Sequence, residues 1–201
     1  EQAARMRSIH DLSARLNRLT DVQAIADAIV AEASTLAAFH DIRIYTVDWE
    51  KGTCEPIAYT DRDLGDGDFR AQLRVDIGPG SFTGWVAAHG RSLRLGDANA
   101  DPRGIALGDT SRPESILVVP MTYEDVVHGL VVVSAIGRDR FDEDDETTLA
   151  IFAAWAAQAM VNAANLERLH RQQAELERQL DGQRRLLAVN ERLLLSLGDA
   201  H

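Results

Sequence analysis

Ser115-Ile116-Leu117-Val118-Val119-Pro120-Met121 and Val126-Val127-His128-Gly129-Leu130-Val131-Val132-Val133-Ser134-Ala135 are the two most apolar stretches of the chain, separated by Thr122-Tyr123-Glu124-Asp125. They are dense in β-branched residues and short, which favours strand over helix. A connection this short joins antiparallel neighbours. Runs that stay apolar at successive positions belong to strands covered on both faces. The pair therefore predicts the centre of an antiparallel sheet. Working outward, Ile42-Arg43-Ile44-Tyr45-Thr46-Val47 alternates as a half-buried strand does, and Thr53 to Thr60 reads as its return across the polar turn Asp48 to Gly52. Asp61 to Asp76 is polar, with Gly65 and Gly67, and predicts a loop or one loose helix. Ser81 is placed to cap a short helix over Phe82 to Ala88, which Gly90 ends. Ser92 to Leu95 predicts a short strand, and Asp97 to Glu114 a long irregular connection.

Helical periodicity flanks this β-rich zone. Met6, Ile9, Leu12, Leu16 and Leu19 recur at spacings of three and four. Thr20-Asp21 breaks the run and caps a second helix, whose apolar face is Ile25, Ile29, Val30, Ala33 and Leu36. From Asp144 the chain is helical again, with Leu149, Phe152, Ala153, Ala156, Ala157, Met160 and Ala164 on one face. Beyond Asn165 a heptad takes over. Its a positions are Leu166, Gln173, Leu180, Leu187 and Leu194, and its d positions Leu169, Leu176, Gln183, Asn190 and Leu197. Seven of ten are Leu, which predicts a coiled coil rather than a lone amphipathic helix docked on its own domain, whose apolar stripe is wider. Gln173, Gln183 and Asn190 weaken such a seam, but fix its register and favour two chains. The expected organisation is a dimerisation helix over 1–20, a folded domain over 21–165, and a coiled-coil linker over 166–201 leading to a further, output domain. Glu1 at the start and a helical pattern running into His201 read as a piece cut from a larger protein.

Composition narrows the function classes. A net charge of −11 argues against a surface that grips nucleic-acid phosphates. The single cysteine, Cys54, makes no intrachain disulfide and no multi-cysteine metal site. No apolar run approaches the roughly 18 residues that cross a bilayer, and no signal-peptide pattern opens the chain. The expectation is a cytoplasmic chain with no membrane contact. One Lys against twenty Arg suits a GC-rich bacterial genome. The six His are scattered, with none near Cys54 in sequence, so no Cys/His nucleophile pair and no enzyme is expected. Asp142-Glu143-Asp144-Asp145-Glu146 at a helix start suits the helix dipole better than a Ca²⁺ cage. No metal and no cofactor is expected.

The order helix, helix, hairpin, short helix, strand, long loop, hairpin, long helix resembles a GAF domain, a small-molecule sensory module. Gly78-Pro79-Gly80 followed by Gly84-Trp85-Val86-Ala87 and Gly90 resembles the family's segment around its short helix. Leu95-Gly96-Asp97 with Asp101-Pro102-Arg103, then Ser115 to Pro120, then His128-Gly129-Leu130-Val131-Val132, then Phe141 with Asp144-Asp145 and Ala163-Ala164-Asn165-Leu166 resemble its later strands, loop and closing helix. Each motif is weak; their order is specific, over about residues 8–168. The resemblance implies an α+β fold: a central antiparallel sheet of five or six strands, the first and last helices on one face, and a pocket under a short helix and loops on the other.

The same resemblance implies a site and excludes several. The proposed pocket lining is Tyr45 and Tyr59 from the first hairpin, Phe82, Thr83 and Trp85 from the short helix, Asp97 and Arg103 beside the loop, and Ser115 and Leu117 from the central strand. Aromatic rings with a few polar groups suit a small planar or aromatic ligand. The alternative is that Phe82 and Trp85 fill the core and the module dimerises without a ligand. Haem-binding relatives take an axial His from the loop that here runs Pro102 to Glu114 and has none. Bilin carriers use a Cys near the short helix, and Phe82 to Gly90 has none. Cyclic-nucleotide binders show an Asn-Lys pair where this chain reads Ser134-Ala135-Ile136-Gly137-Arg138, although Phe141 and Asp145-Glu146 match the later half of their motif. Methionine-sulfoxide-reducing relatives need several cysteines. The implied function is a regulatory module of a signalling or transcription-regulatory protein, homodimeric through its flanking helices. The tail Gln183 to Asp199 faintly resembles the linker of PucR-type transcription regulators.

Overall fold

In the computed structural model, which describes residues 21–36, 39–60, 73–104 and 111–198, the elements run α1 (Val22–Leu36), β1 (Asp41–Asp48), β2 (Thr53–Tyr59), β3 (Val75–Asp76), α2 (Phe82–His89), β4 (Leu93–Leu95), a 3-10 turn (Ala98–Ala100), β5 (Glu114–Tyr123), β6 (Val126–Ile136) and α3 (Glu143–Gly198). The six strands form one antiparallel sheet in the order β3-β2-β1-β6-β5-β4. The two apolar stretches are β5 and β6, and their pairing runs from Glu114↔Ile136 to Tyr123↔Val126. Glu124 and Asp125 turn the hairpin with φ of 49° and 62°, the two left-handed residues of a type I′ turn, which matches the twist of the strands it joins. β3 is the one strand that the sequence does not announce, inside a segment whose composition predicts a loop or loose helix. Two residues are too few to show alternation.

Alternation divides the core into two layers. Leu117, Val119 and Met121 of β5 and Val131, Val133 and Ala135 of β6 pack with Ile42 and Ile44 of β1 against the helices. On that side α1 contributes Ile25, Ala26 and Ile29, and α3 contributes Leu149, Phe152, Ala153, Ala156, Ala157, Met160 and Ala163. Ala163, not the expected Ala164, is buried; Ala164 is exposed. The small side chains of α3 let its backbone approach the sheet closely. Ile116 and Val118, Leu130 and Val132, Tyr45 and Cys54 form the other layer, covered by Phe82, Val86 and Ala87 of α2.

Caps fix the helix starts. Asp21 accepts from Gln23 N–H (3.0 Å) at α1. Asp142 accepts from Asp145 N–H (2.9 Å) while Asp145 accepts from Asp142 N–H (3.1 Å), a reciprocal capping box at α3. The acidic run is thus engaged by the helix start itself. An 18-residue window of α3 is apolar enough by composition to cross a bilayer, which corrects the expectation that the chain has none. Leu149, Phe152, Ala153, Ala156, Ala157, Ala159, Met160 and Ala163 cover the sheet, while Ile151 is 37% exposed. The chain divides into two compact units, residues 1–163 and 164–201. The stripe Met6 to Leu19 lies outside the described residues, as do the side chains of Ala33, Leu36, Asn190, Leu194 and Leu197.

This packing can be tested at two positions. A Cβ on Gly84, in the first turn of α2, would run into the Asp76 carbonyl, whereas one on Gly80 meets open space. Gly84→Ala is expected to cost about 1–3 kcal/mol, or about 2–12 °C in Tm, with Gly80→Ala neutral in the same thermal melts. Cys54 is fully buried, and burial, then the charges of Glu55 and Asp76, push its thiol from 9.0 up to about 12. The folded chain keeps that proton where the unfolded chain has lost it. The stabilisation is complete below pH 9 and declines as pH rises toward 12, at about 1.4 kcal/mol per pH unit at most. Burial raises Tyr45 in the same direction, so its contribution declines from pH 10 upward. Urea midpoints measured at pH 8 and pH 10.5 are expected to fall less for Cys54→Val than for the parent chain.

Candidate ligand-binding face

The second face of the sheet is built from α2 downward. Ser81, extended at φ −154°, accepts from Gly84 N–H (2.9 Å), and Gly90 ends the helix at φ 61° with its N–H on Val86 O. Gly78 N–H reaches back to Gly84 O (3.0 Å) and Ile77 N–H reaches Gly52 O (2.9 Å), so the glycine-proline turn ties α2 to the first hairpin. Phe82 and Thr83 are buried and Trp85 half-buried. Trp85 stacks on His89, with ring centroids 4.3 Å apart. The Arg103 guanidinium lies 5.4 Å from the Trp85 centroid and 5.8 Å from that of Phe82, within cation–π range. Asp101 holds it there through two parallel bonds of 2.9 and 2.7 Å. Those bonds hold the Asp101 carboxyl below its ordinary range. Phe82, Trp85 and Arg103 thus meet at one stacked corner, with Thr83 buried on the same helix.

Three other expected residues go elsewhere. Leu117 points to the helix side, where it packs with Val119 and Val131, so it is corrected from the lining to the opposite core. Ser115 shares its phase on β5, and its hydroxyl is consumed by backbone. It lies 2.7 Å from Gly137 O and 3.0 Å from Gly96 O, donating its one proton there, and accepts from Arg140 N–H at 3.0 Å. Ser115 is a structural knot between strand ends. Asp97 caps the 3-10 turn through Asn99 N–H (3.2 Å) and pairs with Arg138 (3.0 Å), so both its carboxylate oxygens are engaged. The physical reason for the β5 error is phase: adjacent strand residues face opposite sides, and a strand apolar on both sides gives no sign of which is which.

The residues of β5 and β6 that do face α2 are Ile116, Val118, Leu130 and Val132. Their cross-strand partners bring a polar group absent from the expected lining. Tyr45 pairs with Leu130, Arg43 with Val132, and Asp41 with Ser134; Tyr59 pairs with Arg43 from the far side. Asp41, Arg43 and Tyr45 therefore lie in a row on the α2 side. Arg43 Nε lies 2.6 Å from an Asp41 oxygen, a pair set by charge and proximity, because the N–H does not aim along a hydrogen bond. The other Asp41 oxygen accepts from the Thr60 hydroxyl (2.7 Å). Tyr45 is almost wholly buried; burial raises its phenol, and the adjoining Arg43 charge and hydrogen bond oppose the rise. Ser134 is fully buried and its hydroxyl has no partner among the described residues. The signal was present in the sequence: period two from Tyr45 points to Arg43 and Asp41.

A separate open groove of about 660 Å³ lies on the helix side, lined by Ser92, Arg94, Glu143, Glu146, Thr147, Ala150, Ile151 and Ala154. Arg94 and Glu146 pair across it at 3.2 Å. It shares no residue with the α2 face.

Known structures share this architecture. The GAF domain of a phosphoenolpyruvate-protein phosphotransferase from Coxiella burnetii superposes with a TM-score of 0.70 at 16% identity, covering 82% of this chain and 96% of that one. A free methionine-R-sulfoxide reductase from Neisseria meningitidis, solved with its substrate, gives 0.69 at 18% identity, covering 83% and 94%. Residues 122 to 287 of a methyl-accepting chemotaxis protein give 0.61 at 15% identity, covering 77% and 98%. At these identities the likeness is one of fold. No curated protein matches the chain. The family model of the GAF domain matches residues 21–160, well over half of the sequence, and the chain belongs to the GAF domain family.

Proposed function

We propose that the chain is the regulatory sensor module of a larger cytoplasmic bacterial signalling or transcription-regulatory protein, which pairs with a second copy through its flanking helices and relays small-molecule occupancy of the α2 face to a C-terminal output domain. The observation that carries this reading is the row of bare leucines on α3. Leu169, Leu176, Leu180 and Leu187 are 57%, 59%, 52% and 65% exposed, all at a or d of the heptad. Leucines at that spacing are the seam of a two-chain coil, and their burial is worth roughly 25 cal/mol per Å². The acidic surface speaks against a nucleic-acid role for this segment, so any contact with DNA would belong to the output domain. Cys54, buried and protonated, supports a non-catalytic reading, although reductases share the fold.

A ligand-free dimerisation module is the second reading. It is favoured by the continuous packing of Tyr45, Phe82, Val86, Val118 and Leu130. Native mass spectrometry separates the two by reporting co-purified ligand and oligomeric state together. Light scattering is expected to give a dimer that Leu180→Arg or removal of residues 170–201 weakens markedly; a monomeric parent chain would refute the pairing. Trp85 fluorescence is expected to respond to ligand, and Trp85→Phe to abolish the response while Trp49 and Trp155 remain.

A further inference from the structure

Ser134 is a fully buried serine whose hydroxyl has no hydrogen-bond partner among the described residues. A buried hydroxyl without a partner is costly, and native folds rarely leave one. Its register neighbours are Asp41 on one side and Ile116 on the other. Two residues along the strands, Arg43 sits beside Val132, with Val118 beyond it. Asp41 and Arg43 are 18% and 13% exposed at their side chains, so both charges are largely withdrawn from water. Their pairing is close but misaligned at Nε, and a guanidinium has five N–H donors to place.

A ligand reaching this edge meets a carboxylate and a guanidinium that keep some exposure, with the hydroxyl beside them; the aliphatic neighbours already lie under α2. A simple anion would be attracted by Arg43 and repelled by Asp41; a simple cation would meet the reverse. Either would leave one buried charge poorly paired, which is the costly outcome. A head that offers a donor beside an acceptor satisfies both at once. We infer that the edge of the α2 face at the start of β1 selects a small ligand with a net-neutral donor-acceptor head, its donor on Asp41, its acceptor on Arg43 and a third bond to the Ser134 hydroxyl. The inference rests on the sensor reading above. Two sources share this chemistry: the zwitterion of a free amino acid and an uncharged primary amide.

The test holds the body constant and varies the head. The full chain is titrated, by calorimetry and thermal shift, with L-leucine, isovaleramide, isovalerate and isopentylamine. A second series uses L-phenylalanine, phenylacetamide, phenylacetate and phenethylamine. Binding by the zwitterion or the amide of a series, with its acid and amine at least tenfold weaker, is the expected result, and which neutral head prevails separates the two sources. Tighter binding by an acid or an amine overturns the inference and leaves the sensor reading standing. If no compound binds, the head of whatever ligand native mass spectrometry finds co-purified decides, a net charge overturning the inference. No ligand by either method overturns both readings. Ser134→Ala leaves the charge pair intact and removes an unpartnered group. It is expected to leave the Tm of the free chain unchanged or higher while weakening the bound head about tenfold, the worth of one good hydrogen bond. A lower Tm with unchanged affinity would make the hydroxyl structural and overturn its role.

Discussion

Everything in this fold depends on the β5–β6 pair being buried on both faces. An antiparallel strand with one wet face needs one cover; this pair needs two. The helix side is closed by α1 and by the alanine face of α3, which approaches closely because its side chains are small. The other side is closed by α2, a helix of two turns that is too short to cover a six-stranded sheet. Beside α2 on this face lies the polar row of β1. The asymmetry of the two covers supports the second face as the proposed place for a ligand.

That asymmetry also explains what was readable in the sequence. Alternation in β1, the caps at Ser81 and Asp21, the stop at Gly90 and the helical periodicity beyond Asp144 are local signals, and each element they mark is present. The phase of β5 is not local. Leu117 and Val118 look equally apolar, and only the register that runs from Tyr45 through Leu130 to Pro120 shows that even-numbered positions face α2. Register is set by pairing across the sheet, so the sequence alone puts Ser115 and Leu117 on the wrong side. The same missing register hides Ser134, whose place beside the Asp41–Arg43 row of β1 shows only when the strands are laid side by side.

The two buried serines show how differently one residue type is used at equal burial. Ser115 and Ser134 are both fully buried, on adjacent strands, one phase apart. Ser115 ties the end of β4 at Gly96 to the Gly137–Arg140 stretch, alongside the Asp139 N–H bond to Gly96 O. The Ser134 hydroxyl has no partner among the described residues. If both were structural, alanine or valine would serve the second position as well and without the desolvation cost. A polar atom kept where packing alone favours an apolar one belongs to a requirement outside the folded chain itself.

Along α3 the physical demand changes with position. Up to Ala163 the face that matters recurs with the helix's own period, because its partner is a sheet of the same unit. Beyond Leu166 the apolar residues recur every 3.5 residues on average, a period that suits a second helix winding about the first. The proposed pairing seam is not optimal: Gln173 and Gln183 occupy seam positions, and Gly182 stands in open space within the helix, where glycine costs about 1 kcal/mol relative to alanine. Polar residues in such a seam lower its stability while specifying its register, and a seam of limited stability is one whose packing a small ligand's differential affinity can shift. In the proposed sensor, a pairing seam of limited stability is the condition for occupancy of a small face to be read out along α3.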